Sequence, residues 1–217
     1  MKMRVAICAV ATVFFGLQFG QCNAANVAVE PDNFAEGTNL SSVFSGVVLS
    51  VQGKQGVEVR ATSDYWNKHY ATTGQLVFAQ SPSPSATVPL GWDESLGLLR
   101  ADFLGAVDRV AIDLIFDDDD VAALWAFDAS NNLLERFDAI GDGHGNGAGP
   151  PVVRATIFRP QGDISYVLAG GVGAEATLLD NMEVHFAAVP EPATLALVGA
   201  ALAGVAATRR RRPALPT

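Results

Sequence analysis

Residues 108–116 read Asp-Arg-Val-Ala-Ile-Asp-Leu-Ile-Phe, with Val110, Ile112, Leu114 and Phe116 alternating against Arg109, Ala111 and Asp113. Side chains repeat every two residues on a strand and every 3.6 on a helix, so this stretch specifies a half-buried strand and resists any helical assignment. Ala123, Trp125 and Phe127 alternate in the same way, Ser130-Asn131-Asn132 supplies turn chemistry, and Leu133 to Ile140 continues the pattern, which predicts a hairpin. Further strands are expected over Gly46 to Val51, Val57 to Thr62, Gln75 to Gln80, Val152 to Phe158, Ile164 to Ala169 and Leu178 to Phe186. Between the two ends of the chain no stretch sustains a helical amphipathic repeat. Short strands separated by Gly, Pro, Asn and Asp predict an all-β domain, an antiparallel β-sandwich or jelly roll. Two long connectors punctuate it, a proline-rich one over Ser81 to Pro89 and a glycine-rich one over Gly141 to Pro151.

The two ends depart from this pattern. Met1 to Ala24 carries Lys2 and Arg4, then an apolar run from Val5 to Phe19, then Cys22-Asn23-Ala24 as a small-residue cleavage site. These are the three parts of a Sec-type signal peptide, handled by the Sec translocon and signal peptidase. Gln21 is bulky and polar where lipid attachment at Cys22 needs a small residue, which argues against a lipoprotein. Cys8 and Cys22 both lie in this segment, so a mature domain from Ala25 has neither disulfide nor thiol chemistry. At the other end, Val189-Pro190-Glu191-Pro192 precedes an uncharged run from Ala193 to Thr208, closed by Arg209, Arg210, Arg211 and Arg212, with 213–217 as a short tail. Proline cannot sit within a helix, so a single hydrophobic helix is expected to start after Pro192, leaving Glu191 in an extended segment open to a protease. That helix would span roughly 24 Å, short against a hydrocarbon core of ~30 Å, with the arginines held on the cytoplasmic side.

The Pro-Glu-Pro turn, the apolar helix and the arginine cluster together resemble the PEP-CTERM sorting signal of exported bacterial proteins. The resemblance implies recognition by an exosortase, a membrane protease that removes the tail near Pro190, Glu191 and Pro192. It implies an inner-membrane intermediate anchored transiently by the helix, then a place on the cell surface or in the extracellular matrix, in bacteria that make exopolysaccharide and biofilms. Residues 25–188 are then the cargo domain and 189–212 its address.

Charge narrows the cargo's partners. Of the 23 acidic residues all but Glu191 fall within 25–189, against eight of the 14 Lys and Arg, leaving that segment near −14. Such a surface repels nucleic acid and suits divalent cations or neutral glycans. Leu178-Leu179-Asp180-Asn181-Met182-Glu183-Val184 resembles the closing strand of cell-surface jelly-roll domains of the carbohydrate-binding kind. In some of these the Asp joins acids of the first strand around a structural calcium, which here implies Glu30 and Asp32 beside Asp180, provided the terminal strands are neighbours. Two further acidic stretches bear on metals. Asp117 to Asp120 places four carboxylates in one loop, and Asp142 to Gly147 echoes the front of a calcium loop but has Val153 where that loop needs a Glu.

Nothing nominates an active site. The histidines are His69, His144 and His185, with no His-Glu-x-x-His helix, Gly-x-Ser-x-Gly elbow or phosphate loop. His185 alternates with Met182, Val184 and Phe186 and reads as a surface residue. Tyr65, Trp66, His69 and Tyr70, and Trp92 in another loop, read as rings that cap a sandwich end or stack on sugars. The sequence therefore points to a structural or adhesive surface protein rather than an enzyme. A calcium-dependent glycan-binding module is the alternative, and a secreted glycoside hydrolase or lyase rests on compartment alone.

Overall fold

The computed structural model describes residues 24–63, 70–81, 91–116, 119–141 and 151–188, with 198 and 201–202 in the tail. Ten strands run through it: β1 (Ala25–Val29), β2 (Val47–Val51), β3 (Glu58–Ser63), β4 (Leu76–Ser81), β5 (Leu99–Ile115), β6 (Val121–Phe127), β7 (Leu133–Ile140), β8 (Val152–Phe158), β9 (Ile164–Gly171) and β10 (Leu178–Phe186). Every strand pairing is antiparallel, and all ten strands lie in one compact unit, Asn23–Val189. The expected all-β antiparallel architecture is the one found.

Hydrogen bonding is continuous in the order β3-β4-β10-β5-β9-β6-β7, with β1 on β10 and both β2 and β8 on β5. β5 makes two layers out of this one sheet. Its first half, Leu99 to Phe103, runs between β2 and β9, while Val107 to Ile115 runs between β10 and β8. The register against β9 slips between Asp102 and Val107, where the strand crosses from one layer to the other. A strand shared in this way closes a sandwich without a separate corner connection.

The core lies between the layers. Val110, Ile112 and Leu114 of β5, Leu124 of β6, Ile157 of β8, Leu179 and Val184 of β10, Val59 of β3 and Phe78 of β4 are all fully buried. Each such side chain contributes roughly 1.5–3 kcal/mol of apolar transfer free energy. Trp92 joins this cluster at 0% exposure, its indole N–H donating to the Phe78 carbonyl at 2.8 Å. That ring is part of the core and has no face to offer a sugar.

The structure departs from the sequence reading at four points. β5 begins at Leu99, well before Asp108, and β1 was not anticipated at all. The outward face of β5 is also buried at its end, with Ala111 and Asp113 each 6% exposed and Ile115 2%. The reason is a crossing segment: Tyr70 and Ala71 pack on Ile115, Val77 and Leu178, and cover what would otherwise be solvent-facing. On β6 the core is filled by Ala122, Leu124 and Ala126. Ala123 and Trp125 instead form an outer cluster with Leu98, flanked by Phe127 and Leu168, and the Arg136 guanidinium lies 5.2 Å from the Trp125 ring centre. The β6–β7 hairpin forms as read. Its turn places Asn131 at φ 64°, and Asp128 Oδ1 accepts the N–H of Ser130 and of Asn132 at 2.8 Å each.

Asp142 to Gly147, Tyr65, Trp66, His69, Asp117 and Asp118 lie outside the described residues, as does nearly all of the apolar run from Ala193 to Thr208. Residues 198, 201 and 202 are helical, and among the described residues no helix is long and apolar enough to cross a membrane.

Candidate metal centre

The pairing of β1 with β10, in register from Ala25↔Phe186 to Val29↔Met182, brings the first strand of the domain beside the last. The chain leaves β1 into a 3-10 turn, Pro31–Asn33, which Glu30 caps by accepting the Asp32 N–H at 3.3 Å. Proline at the first position of the turn fixes φ and offers no N–H to be satisfied. The turn sets Glu30 and Asp32 on one side, facing β10. There the register with β5 slips between Asp180 and Glu183, a bulge in which Asn181 takes φ 48°, a left-handed conformation that asparagine tolerates. The bulge also marks where the free edge of β10 passes from β4, at Leu179↔Phe78, to β1.

The outcome is one cluster of three carboxylates. Glu30, Asp32 and Asp180 each present an oxygen within 4.8 Å of the others. Asp180 is fully buried, and its Oδ2 accepts the N–H groups of Thr72 at 2.7 Å and Thr73 at 3.1 Å, while Oδ1 accepts the Asn181 N–H at 2.8 Å. Asp32 Oδ1 accepts the N–H of Gln75 at 2.8 Å and of Leu76 at 3.1 Å, tying the entry of β4 to the cluster. Asp32 Oδ2 is buried with no hydrogen-bond partner. Between them Gly74, at φ +53°, passes so close that a Cβ would overlap the Asp32 carboxylate.

Protons are scarce here. The Thr72 hydroxyl lies 2.6 Å from Asp113 Oδ2 and 3.0 Å from Asp180 Oδ2, and with one hydrogen it donates to one of them at a time. The Thr73 hydroxyl stands likewise at 2.8 Å from Glu30 Oε2 and 3.4 Å from Asp180 Oδ2. Burial pushes the Asp180 carboxyl above its usual range against the opposing pull of the Thr73 and Thr72 N–H groups. Glu30 is also raised, chiefly by burial, with the charges of Asp180 and Asp32 adding to it and the Thr73 hydroxyl opposing. Arg154 does not relieve the three acids: it pairs with Asp113 at 3.0 Å and Glu183 at 3.3 Å, and donates to the Asn181 carbonyl. An acceptor-rich pocket with an orphaned carboxylate oxygen suits a hard divalent cation.

The structure thus brings together Glu30, Asp32 and Asp180. Sequence reasoning passed over Thr72, Thr73 and Gly74, which pack around them; a Thr-Thr-Gly run just before a strand was the available sign. Val189, Pro190, Glu191 and Pro192, with Arg209 to Arg212, lie outside the described residues.

No curated protein matches this sequence. Among solved structures, the K2 cleaved adhesin domain of Lys-gingipain is similar at 14% identity and a TM-score of 0.44, over 74% of this chain and 99% of that one. The K1 adhesin domain of Lys-gingipain from Porphyromonas gingivalis W83 is similar at 12% identity and 0.41, over 75% and 99%. The CBM22-1 xylan-binding domain of Paenibacillus barcinonensis Xyn10C is similar at 14% and 0.43, over 77% and 97%. Identities this low say nothing of what the present chain binds. The C-terminal segment is more specific, because the family model of the PEP-CTERM protein-sorting motif matches residues 188–212. The chain carries a PEP-CTERM protein-sorting motif directly behind its β-domain.

Proposed function

We propose that this is an exported bacterial protein whose β-domain is delivered by exosortase processing to the cell surface or the extracellular matrix, where it serves a structural or adhesive role in an exopolysaccharide or biofilm setting. The signal-peptide pattern over Met1 to Ala24 provides entry to the Sec route. The observation that carries the proposal is the sorting motif at residues 188–212. Replacing Pro190, Glu191 and Pro192 together by alanine tests it. Intact mass of the protein from membrane, surface and medium fractions of its own host should show a trimmed wild-type species, and a variant retained in the membrane with Arg209 to Arg212 still attached. Identical trimming of both would sink the reading.

Within that role, Glu30, Asp32 and Asp180 would hold calcium as a structural ion. When bound it supplies positive charge to three carboxylates and joins the first strand, the segment before β4 and the last strand. Support comes from the unpartnered Asp32 Oδ2 and from the shortage of donor protons around Thr72 and Thr73. This chain's residues position those acids by backbone hydrogen bonds and catalyse nothing there, in keeping with a displayed module rather than an enzyme.

A further inference from the structure

Four neighbouring strands of one layer carry a transverse row of directly opposed residues. Asn26 of β1 pairs with His185 of β10, His185 with Arg109 of β5, and Arg109 with Phe158 of β8. The row sits four residues along β5 from Asp113, about 13 Å from the acid cluster at strand rise. With Asp108 these four line an open surface groove of about 440 Å³, within the ~300–1,000 Å³ typical of small-molecule sites.

Asp108 reaches this face through a bulge. His185 opposes Arg109 and Phe186 opposes Val107, so β5 holds one residue more than β10 between them, and that residue is Asp108. Bulges re-aim side chains; here the Asp108 carboxylate turns onto His185 Nδ1. His185 is therefore not the plain surface residue its alternation suggested, since it is three-quarters buried against a carboxylate.

Arg109 is the other unusual member. Arg60, Arg100, Arg136, Arg154 and Arg159 each form a salt bridge with a carboxylate. Among the described residues Arg109 is the arginine with no such pair, although the segment around it is strongly acidic. Beside it Phe158 is 58% exposed, a large apolar ring left facing water. A free guanidinium fork matches a carboxylate, an exposed ring matches the apolar face of a pyranose, and an amide with an imidazole–carboxylate pair offers both donors and acceptors to hydroxyls.

We propose that this row is a subsite for a carboxylate-bearing sugar ring, a hexuronate. Arg109 takes the carboxylate, Phe158 lies under the ring, and Asn26 with the His185–Asp108 pair bonds the hydroxyls. The choice of a sugar as carrier of the carboxylate rests on the matrix reading above. The acidic field of the remaining surface discourages polyanions elsewhere, so the attraction is confined to this row.

The test is calorimetric titration of the purified full chain with trigalacturonate, with the neutral trigalactoside of the same linkage, and with succinate as a carboxylate without a ring. Trigalacturonate should bind saturably and the other two at least about tenfold more weakly, the scale of one charge-assisted hydrogen bond. Arg109→Gln should lose a similar factor, Arg109→Lys should recover part of it because charge returns without the fork, and Phe158→Ala should weaken both saccharides. Both positions are solvent-facing, so unchanged melting curves accompany these losses. Equal affinity for acidic and neutral saccharides, or indifference to Arg109→Gln, would overturn the subsite, and succinate competing as well as the uronate would overturn the sugar. A chain trimmed normally in its host that fails to bind overturns the subsite alone; one that binds yet is never trimmed overturns the sorting reading alone.

Discussion

Asp32→Asn separates the two tasks of one side chain. Oδ1 accepts the N–H groups of Gln75 and Leu76, and an amide oxygen preserves both bonds. Oδ2, buried without a partner, becomes an NH2 group that brings donors into the acid cluster. With ligand oxygens within 4.8 Å of one another, Coulomb's law at an effective dielectric of about 20 gives roughly 3.5 kcal/mol for a fully ionised pair. Glu30 and Asp32 are only partly buried, so solvent screening reduces the relief from deleting one charge to about 1 kcal/mol. In chelator at neutral pH the variant should accordingly melt about 2–4 °C above wild type. Calcium at about a hundred times its dissociation constant should then raise wild type by about 2.7 kcal/mol, or roughly 5–11 °C. The variant, one carboxylate short, should gain much less. The order of the two Tm values therefore inverts between chelator and calcium, which scanning calorimetry on the full chain reads directly. A wild type indifferent to calcium, or a variant less stable by the same margin in both buffers, would refute the reasoning and leave the cluster a purely hydrogen-bonded scaffold.

Acidity offers a second reading of the same carboxylates in the metal-free protein. Glu30 and Asp180 are raised in the folded state, so their contribution is fully present below the unfolded-state values and is lost as pH rises through the folded ones. In chelator, lowering pH from neutral toward those values should increase the stability these two groups confer, and calcium should abolish or reverse the trend; the difference between the wild-type and Asp180→Asn pH profiles isolates it. Trp92→Ala should cost about 3–5 kcal/mol by opening a cavity between the layers and orphaning the Phe78 carbonyl. Denaturant titration measures that, and a surface-like loss under 1 kcal/mol would contradict the burial of the ring.

Legibility in the sequence followed how local each cause was. The β6–β7 hairpin was readable because its turn residues and its alternation are contiguous. The first half of β5 was not, since Leu104 and Gly105 interrupt the period where the strand changes layers. Which face of β6 met the core was not legible, since Ala122, Leu124 and Ala126 are as apolar as Ala123, Trp125 and Phe127, and a cationic cover from Arg136 lets the Trp125 ring lie outside. Glu30, Asp32 and Asp180 were nominated by resemblance, and their meeting depends on the pairing of β1 with β10, a long-range fact no local period encodes. Thr72 and Thr73 bear no charge, and the Thr-Thr-Gly run that contains them was a faint sign. His185 was read correctly as facing away from the core, but its partner could not be found, because Asp108 joins that face through an extra residue that breaks the simple alternation.

β10 is the last strand to be made, yet it lies against β5 on one side and β4 and β1 on the other. A chain emerging from its N-terminus has nine strands waiting around a central gap, with Thr73 held apart from Asp180 by 107 residues of sequence. Closure on this plan is all-or-none and slow, as for other domains dominated by distant contacts. Any chain stopped short of Asp180 also lacks the third acid of the cluster, so a cation there would bind finished molecules and pass over truncated ones. The ion would act less as a fastener than as a proof of completion, registering that the whole domain has emerged and closed.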